Sequence, residues 1–171
     1  IDRIKNVARI IASYKKKNKV IVVSSAMSGS TNELIKKTKE LSNNFDPAEY
    51  DVLLSTGEQA ACALIAGRLK HLGFNARSWI SWQVPIITEG LYNSSRINII
   101  NKNRISNFMK SGGIPIITGF QGINFENRVT TLGSCLLHTS DAADDSLRVD
   151  LGGRRIIKKS LCRWGSVLYV A

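Results

Sequence analysis

Cysteine and histidine are both scarce in this chain. Among 171 residues there are three cysteines and two histidines. Cys62, Cys135 and Cys162 form no close pair and leave one over, which argues against a disulfide framework and against a zinc site. That usage fits a reducing, cytoplasmic setting. His71 and His138 stand far apart, so nothing supports a histidine-based triad. No apolar run approaches the length of a membrane span, and no secretory leader opens the chain. A membrane is therefore not an expected partner. Acidic residues are few beside basic ones, 13 against 24, giving a net charge of +11. The densest basic run, Lys15, Lys16, Lys17 and Lys19, falls at the end of a helical pattern, where lysines complement the helix dipole. No aromatics are interleaved there to stack on bases. The charge is read as solvated surface, and nucleic acid is not an expected partner.

What remains is ordinary for a globular domain: 43% hydrophobic and 22% charged residues. One stretch stands out. Val20 to Val23 form a short apolar, β-branched run, as in a strand buried on both faces. The run breaks into small and hydroxylated residues, Ser24, Ser25, Ala26, Ser28, Gly29, Ser30 and Thr31. A helical pattern then places Leu34, Ile35, Thr38 and Leu41 on one face. A buried strand feeding a small-residue loop that opens a helix is a geometry that binds anions.

The same periodicities predict a helix from about Asp2 to Lys17, a strand at 20–24, a helix at 31–42 and a loop from Ser42 to Pro47. A helix with Ala61, Leu64, Ile65, Leu69 and Leu72 on one face stops at Gly73. Short strands are expected at Ala76–Ile80, Val84–Thr88 and Ile114–Thr118, a helix at Asn103–Lys110, a turn-rich segment at 119–128 and a strand at Val129–Leu132. Strands alternating with helices predict an α/β fold: a three-layer α/β/α sandwich around a mainly parallel sheet. Ile1, Ile4, Val7, Ala8 and Ile11 already show helical spacing, so the chain is expected to begin inside a domain.

Two loops carry the candidate chemistry, and each has two readings. Ser24 to Asn32 is suited to a phosphate or a carboxylate, although it has neither the Gly-Lys-Ser/Thr of a P-loop nor a dinucleotide fingerprint. Alternatively Ser30 and Glu33 form a capping box, with Ser28 a further cap. In Ser55-Thr56-Gly57-Glu58, Ser55 and Glu58 have the same capping spacing. The functional alternative is a Glu58 carboxylate at the C-terminal end of a preceding strand, where it would receive an ammonium group.

Taken jointly, six phrases resemble the aspartokinases of the amino-acid kinase superfamily. They are Val-Val-Ser-Ser-Ala-Met-Ser-Gly-Ser-Thr-Asn (22–32), Tyr-Asp-Val-Leu-Leu-Ser-Thr-Gly-Glu-Gln (50–59), Ala-Arg-Ser-Trp (76–79), Trp-Gln-Val-Pro-Ile-Ile-Thr (82–88), Gly-Phe-Gln-Gly (119–122) and Val-Thr-Thr-Leu-Gly (129–133). The resemblance implies transfer of the γ-phosphoryl of ATP, with Mg2+, to the side-chain carboxylate of L-aspartate. It further implies a place in lysine, threonine and methionine biosynthesis, and a homo-oligomeric parent. By family match Ser25 and Gly29 lie in the active-site loop beside the nucleotide phosphates. Thr31 and Glu58 match positions that contact aspartate, with Glu58 at its α-ammonium.

The family's Lys-Phe-Gly-Gly-Thr-Ser and Arg-Gly-Gly-Ser-Asp segments do not occur in this sequence. No catalytic residue is therefore assigned, and residues 1–133 are expected to be a partial catalytic domain, incomplete at both ends and inactive alone. The alternative is a non-catalytic binding or regulatory module that keeps the fold. Residues 134–171 resemble no continuation of the family. They look like translated adapter sequence, with Lys158-Lys159 as the start of an A-run, so the matching text is expected to end near Gly133.

Overall fold

The structure is a computed structural model that describes residues 1–133 and the backbone of two later strands, Lys159–Cys162 and Gly165–Val170. Cys135, His138 and most of the segment set apart from the sequence lie outside the described residues.

The main sheet is built on the two most apolar runs. β1 (Val20–Ser24) and β5 (Ile114–Thr118) lie side by side in parallel, Val22 opposite Ile116 and Ser24 opposite Thr118. β2 (Ala76–Trp79) adds in parallel beyond β5. On the other edge of β1 lies β9 (Gly165–Val170), also parallel, with β8 (Lys159–Cys162) antiparallel outside it. Successive side chains of β1 and β5 point to opposite faces, and both faces are covered. On one face, Val20, Val22, Ala76, Ile114 and Ile116 pack against α1 (Asp2–Lys15) and α3 (Pro47–His71), which contribute Ala8, Ile11, Cys62, Ile65 and Leu69. On the other, Ile21, Ile117 and Trp79 meet Ile105, Phe108 and Met109 of α4 (Asn103–Lys110). The rings of Trp79 and Phe108 meet edge to face, 5.6 Å between centroids. The expected three-layer α/β/α arrangement is thus present.

A second, smaller sheet has the order β4-β3-β6-β7, formed by β3 (Ile86–Glu89), β4 (Arg96–Ile100), β6 (Gln121–Ile123) and β7 (Val129–Thr131). Two of its strands were not expected from the sequence. All residues of β4 are exposed, so the alternation in Arg96-Ile97-Asn98-Ile99 marks no buried face. β6 lies inside the segment expected to be turns, because Gln121-Gly122-Ile123 is short and buries a polar residue and a glycine.

α3 departs most from expectation. The segment Tyr50–Leu54 is helical rather than a strand ahead of Glu58, and α3 runs unbroken for 25 residues. Asp46 starts it: its Oδ1 accepts from the amides of Ala48 and Glu49 at 2.9 and 3.0 Å, and Pro47 occupies the first helical position. Ser55 and Glu58 therefore lie in the helix interior and form no capping box, and no strand leads directly into Glu58. At the far end Gly73 takes φ +84°, its amide donates to Lys70 O and that of Phe74 to Leu69 O, a Schellman stop as expected. Leu64 and Leu72 are more exposed than the expected helix face implied.

The capping box expected at α2 (Ser30–Leu41) is also absent. Gly29, at φ +87°, is the N-cap, and no side chain caps this end. Thr38 is buried in α2 while Leu41 faces solvent. Among the described residues no helix is long and apolar enough to cross a membrane.

Candidate active site

β1 and β5 run in parallel, so their C-terminal ends share one edge of the sheet, the edge at which open α/β sheets bind ligands. The Ser24–Ser30 loop leaves β1 there. It is held by Gly119, whose amide donates to Ser24 O at 2.9 Å; a Cβ at Gly119 would stand 3.2 Å from that oxygen. Ser30 N donates to Met27 O, closing the loop just ahead of α2. The first amides of a helix have no intrahelical acceptors, and with no side-chain cap the positive end of α2 faces outward. A cleft of about 210 Å3 lies between the loop and the first turns of α1, lined by Ser25, Ser28, Arg3, Ile4 and Ala61 among others.

Glu58 comes to this loop from α3. It is 4% exposed, and its Oε1 accepts from the amide of Ala26 at 3.2 Å. Its Oε2 is buried without any hydrogen-bond partner. Burial pushes the Glu58 carboxyl above its ordinary range, only partly opposed by backbone hydrogen bonds at Glu58 and Ala26. Gly57 makes the approach possible, since a Cβ there would sit 3.0 Å from that of Ala26. One turn beyond, Cys62 is wholly buried. Burial first, then the neighbouring Glu58 charge, push its thiol up to about 12, against a hydrogen bond from the Ser24 backbone. Cys62 is thus a core residue and an unreactive thiol.

Of the residues singled out from sequence, Ser25 is half-buried and lines the cleft, Gly29 holds the left-handed turn before α2, and Thr31 sits in the first turn of α2. Leu34 of α2 lies 3.9 Å from the Cβ position of Gly57. Loop, α2 and Glu58 therefore converge. Three further residues lie within the matching phrases at 50–59 and 119–122 but were not singled out as site residues. Asp51 is a fully buried carboxylate on α3. Gln121 is buried and donates to Ser55 O at 3.1 Å. Phe120, between β5 and β6, has φ +58°, a strained conformation for an aromatic residue. Only an unusual polar residue within an apolar segment could have marked the first two.

A description of the amino acid kinase family matches residues 2–143. The chain belongs to the amino acid kinase family. It is 43% identical over 137 residues to an aspartokinase of Rickettsia bellii, covering 78% of this chain and 34% of that one. It is equally identical, over 134 residues, to an aspartokinase of Geobacillus stearothermophilus, covering 78% and 33%. The chain thus spans about a third of the length of these curated relatives. Among solved structures, aspartate kinase from Synechocystis is similar at TM-score 0.62 and 35% identity, over 77% of this chain and 22% of that one. E. coli aspartokinase III in complex with aspartate and ADP shares the fold, at TM-score 0.65 and 19% identity, over 78% and 40%.

A pH dependence follows from the Glu58 geometry. A carboxyl whose folded pKa is raised contributes stability below its unfolded pKa and loses it as pH rises through the folded value. The stability of the chain relative to Glu58→Gln should therefore be greatest below about pH 4.5, the ordinary value for this side chain, and should fall as pH rises before levelling off. Denaturant titrations of both proteins from pH 4 to pH 8 check this. A difference that stays flat, or grows with pH, would contradict the burial of an unpaired carboxylate.

Proposed function

We propose that this chain is part of the catalytic domain of an aspartate kinase, which transfers the γ-phosphoryl group of ATP to the side-chain carboxylate of L-aspartate. One observation carries the substrate reading: Glu58 is buried beside the Ser24–Ser30 loop with one oxygen bonded to Ala26 N and the other unpartnered. An amino-acid ammonium group supplies the missing donor and the missing charge together. The relatives named aspartokinase support the choice of amino acid.

In this reading a side-chain carboxylate oxygen of aspartate attacks the γ-phosphorus. The bond from phosphorus to the bridging oxygen breaks, and ADP leaves with its electron pair. The product is the mixed anhydride 4-phospho-L-aspartate, an intermediate on the way to lysine, threonine and methionine. Such transfer depends on positioning and on neutralising charge. Glu58 holds the α-ammonium and Thr31 contacts the substrate nearby. Ser25 and Gly29 belong to the loop that faces the phosphates, backed by the positive end of α2. Among the described residues no three His, Cys, Asp or Glu side chains gather into a metal site. Mg2+ would fit this reading as an ion that arrives with the nucleotide and would supply neutralisation of phosphate charge when bound.

The groups that the family resemblance assigns to the transferred phosphoryl and to the substrate carboxylate lie in segments this sequence does not contain. The chain alone is accordingly proposed to be inactive and the activity to belong to a full-length parent; the text of residues 134–171 is proposed to be foreign to the family, although β8 and β9 extend the main sheet and the family match reaches residue 143. The test is to incubate each with ATP, Mg2+ and L-aspartate and trap acyl phosphate with hydroxylamine. Aspartate-dependent hydroxamate is expected from the full-length protein and none from the chain. Failure of the full-length protein to form it would overturn the assignment; formation by the chain would overturn its inactivity.

A further inference from the structure

Seven residues before Glu58, and so on the same face of α3, lies the most deeply buried carboxylate among the described residues. Asp51 is 0% exposed. Its Oδ1 accepts from Thr131 Oγ1 at 2.6 Å and its Oδ2 from Thr131 N at 2.8 Å. The amide of Asn93 donates to both oxygens, at 3.2 and 3.1 Å. Every one of these donors is uncharged. Asn93 takes φ +62°, a left-handed turn that asparagine tolerates. One turn along the helix, Gln121 Nε2 donates to Ser55 O, and Ser81 Oγ donates to Gln121 Oε1 at 3.4 Å.

We infer that Asp51 is a positioning residue for Glu58: by joining α3 to the end of β7 and to the Asn93 turn, it sets where the Glu58 carboxylate meets the active-site loop. The inference rests on the reading of Glu58 as a substrate contact. The physical argument concerns direction. An apolar residue at position 51 would hold α3 against the small sheet at lower desolvation cost, but packing alone tolerates sliding along the helix axis. Hydrogen bonds to two oxygens from a strand end and a turn do not. They fix the axial register of α3, and Gln121 repeats the constraint at Ser55. Glu58 is carried along one turn further on, where Gly57 leaves no slack against Ala26. Thr131 then leads through Leu132, whose amide donates to Phe120 O, to Gly133, whose amide donates to Ser95 O. Asp51 thereby ties the helix bearing Glu58 to the chain leaving β7.

The test uses Asp51→Asn and Thr131→Val, with Thr131→Ser as the conservative control. Amide hydrogen exchange on this chain reads the geometry directly. Ala26 N–H, the Glu58 partner, should exchange about tenfold faster or more in both variants, the change read when about 1.4 kcal/mol of local protection is lost. Ile65 and Leu69 in the core of α3 should stay protected, and Thr131→Ser should behave as wild type. In the full-length protein the KM for aspartate should rise by a similar factor, with the KM for ATP unchanged. Loss of protection throughout α3 in Thr131→Val, or unchanged Ala26 exchange in both variants, would overturn the inference. A full-length protein without aspartate phosphorylation would instead overturn the proposed function, while the exchange measurement still decides the role of Asp51.

Discussion

Replacing Glu58 by alanine in the full-length protein is expected to weaken aspartate about 100-fold while leaving the KM for ATP within about twofold, on the scale of a charge-assisted bond to a buried partner. The asymmetry follows from the surroundings of Glu58. Its Oε1 is already engaged by Ala26 N, and its Oε2 is buried with nothing to accept from. A bond to a charged group contributes about 1.5–3 kcal/mol, and each 1.4 kcal/mol is a factor of ten in affinity. Alanine also strands the Ala26 amide, which disturbs the loop as well. Glu58→Gln separates the two effects. It keeps an acceptor for Ala26 N–H and removes the charge that an ammonium group would meet. Steady-state kinetics should show the aspartate defect in both variants. Equal effects on aspartate and ATP, or a glutamine variant with normal aspartate KM, would reduce Glu58 to a prop for the loop.

The largest expected loss of stability comes from the small sheet. Gly122→Ala should destabilise the chain by about 3 kcal/mol, the upper range for forcing a methyl group into filled space. A Cβ at Gly122 would run into Thr88 Cγ2 and stand 2.8 Å from the backbone oxygen of Ile86. Neither neighbour is free to move. Ile86 O is main chain in β3, and the Thr88 hydroxyl is held against that of Thr130 at 2.6 Å in the buried interior. For a domain of this size the loss corresponds to a melting point lower by ~6–12 °C. Gly67→Ala is the control: it lies within α3, and a Cβ there meets nothing within 4 Å. That change should be neutral or stabilising by up to about 1 kcal/mol. Thermal melts of both variants decide the matter, and a Gly122→Ala protein that melts with wild type would show that the small sheet is not closely packed.

Much of this fold can be read from local pattern, for stated reasons. Val20–Ser24 and Ile114–Thr118 are runs of β-branched residues, and strands buried on both faces need that composition. Asn103–Lys110 has one apolar face against one sheet face, and the structure has the helix over those same residues. Gly73 and Gly112 end their helices because the stop requires positive φ. The first half of α3 was illegible because that helix packs against α1, α2, the main sheet and β7 together. A helix buried on several sides has no single apolar stripe. β4 escaped notice for the opposite reason, being exposed on both faces.

By itself the sequence determined the strand-loop-helix unit at Val20–Leu41, the parallel α/β class and Glu58 as a residue to watch, since each depends on neighbours within a few positions along the chain. Only the tertiary structure decided where Glu58 sits and which donor it meets. Its spacing from Ser55 suits a capping box, but α3 is already started at Asp46 and Pro47, so the backbone amides around Ser55 lie within the helix interior. The donor Glu58 meets instead, Ala26 N–H, is 32 residues away, and the bonds that hold α3 in register come from Asn93, Gln121 and Thr131. Contacts at such separations leave no local periodicity, because they depend on how the sheets and helices pack against one another.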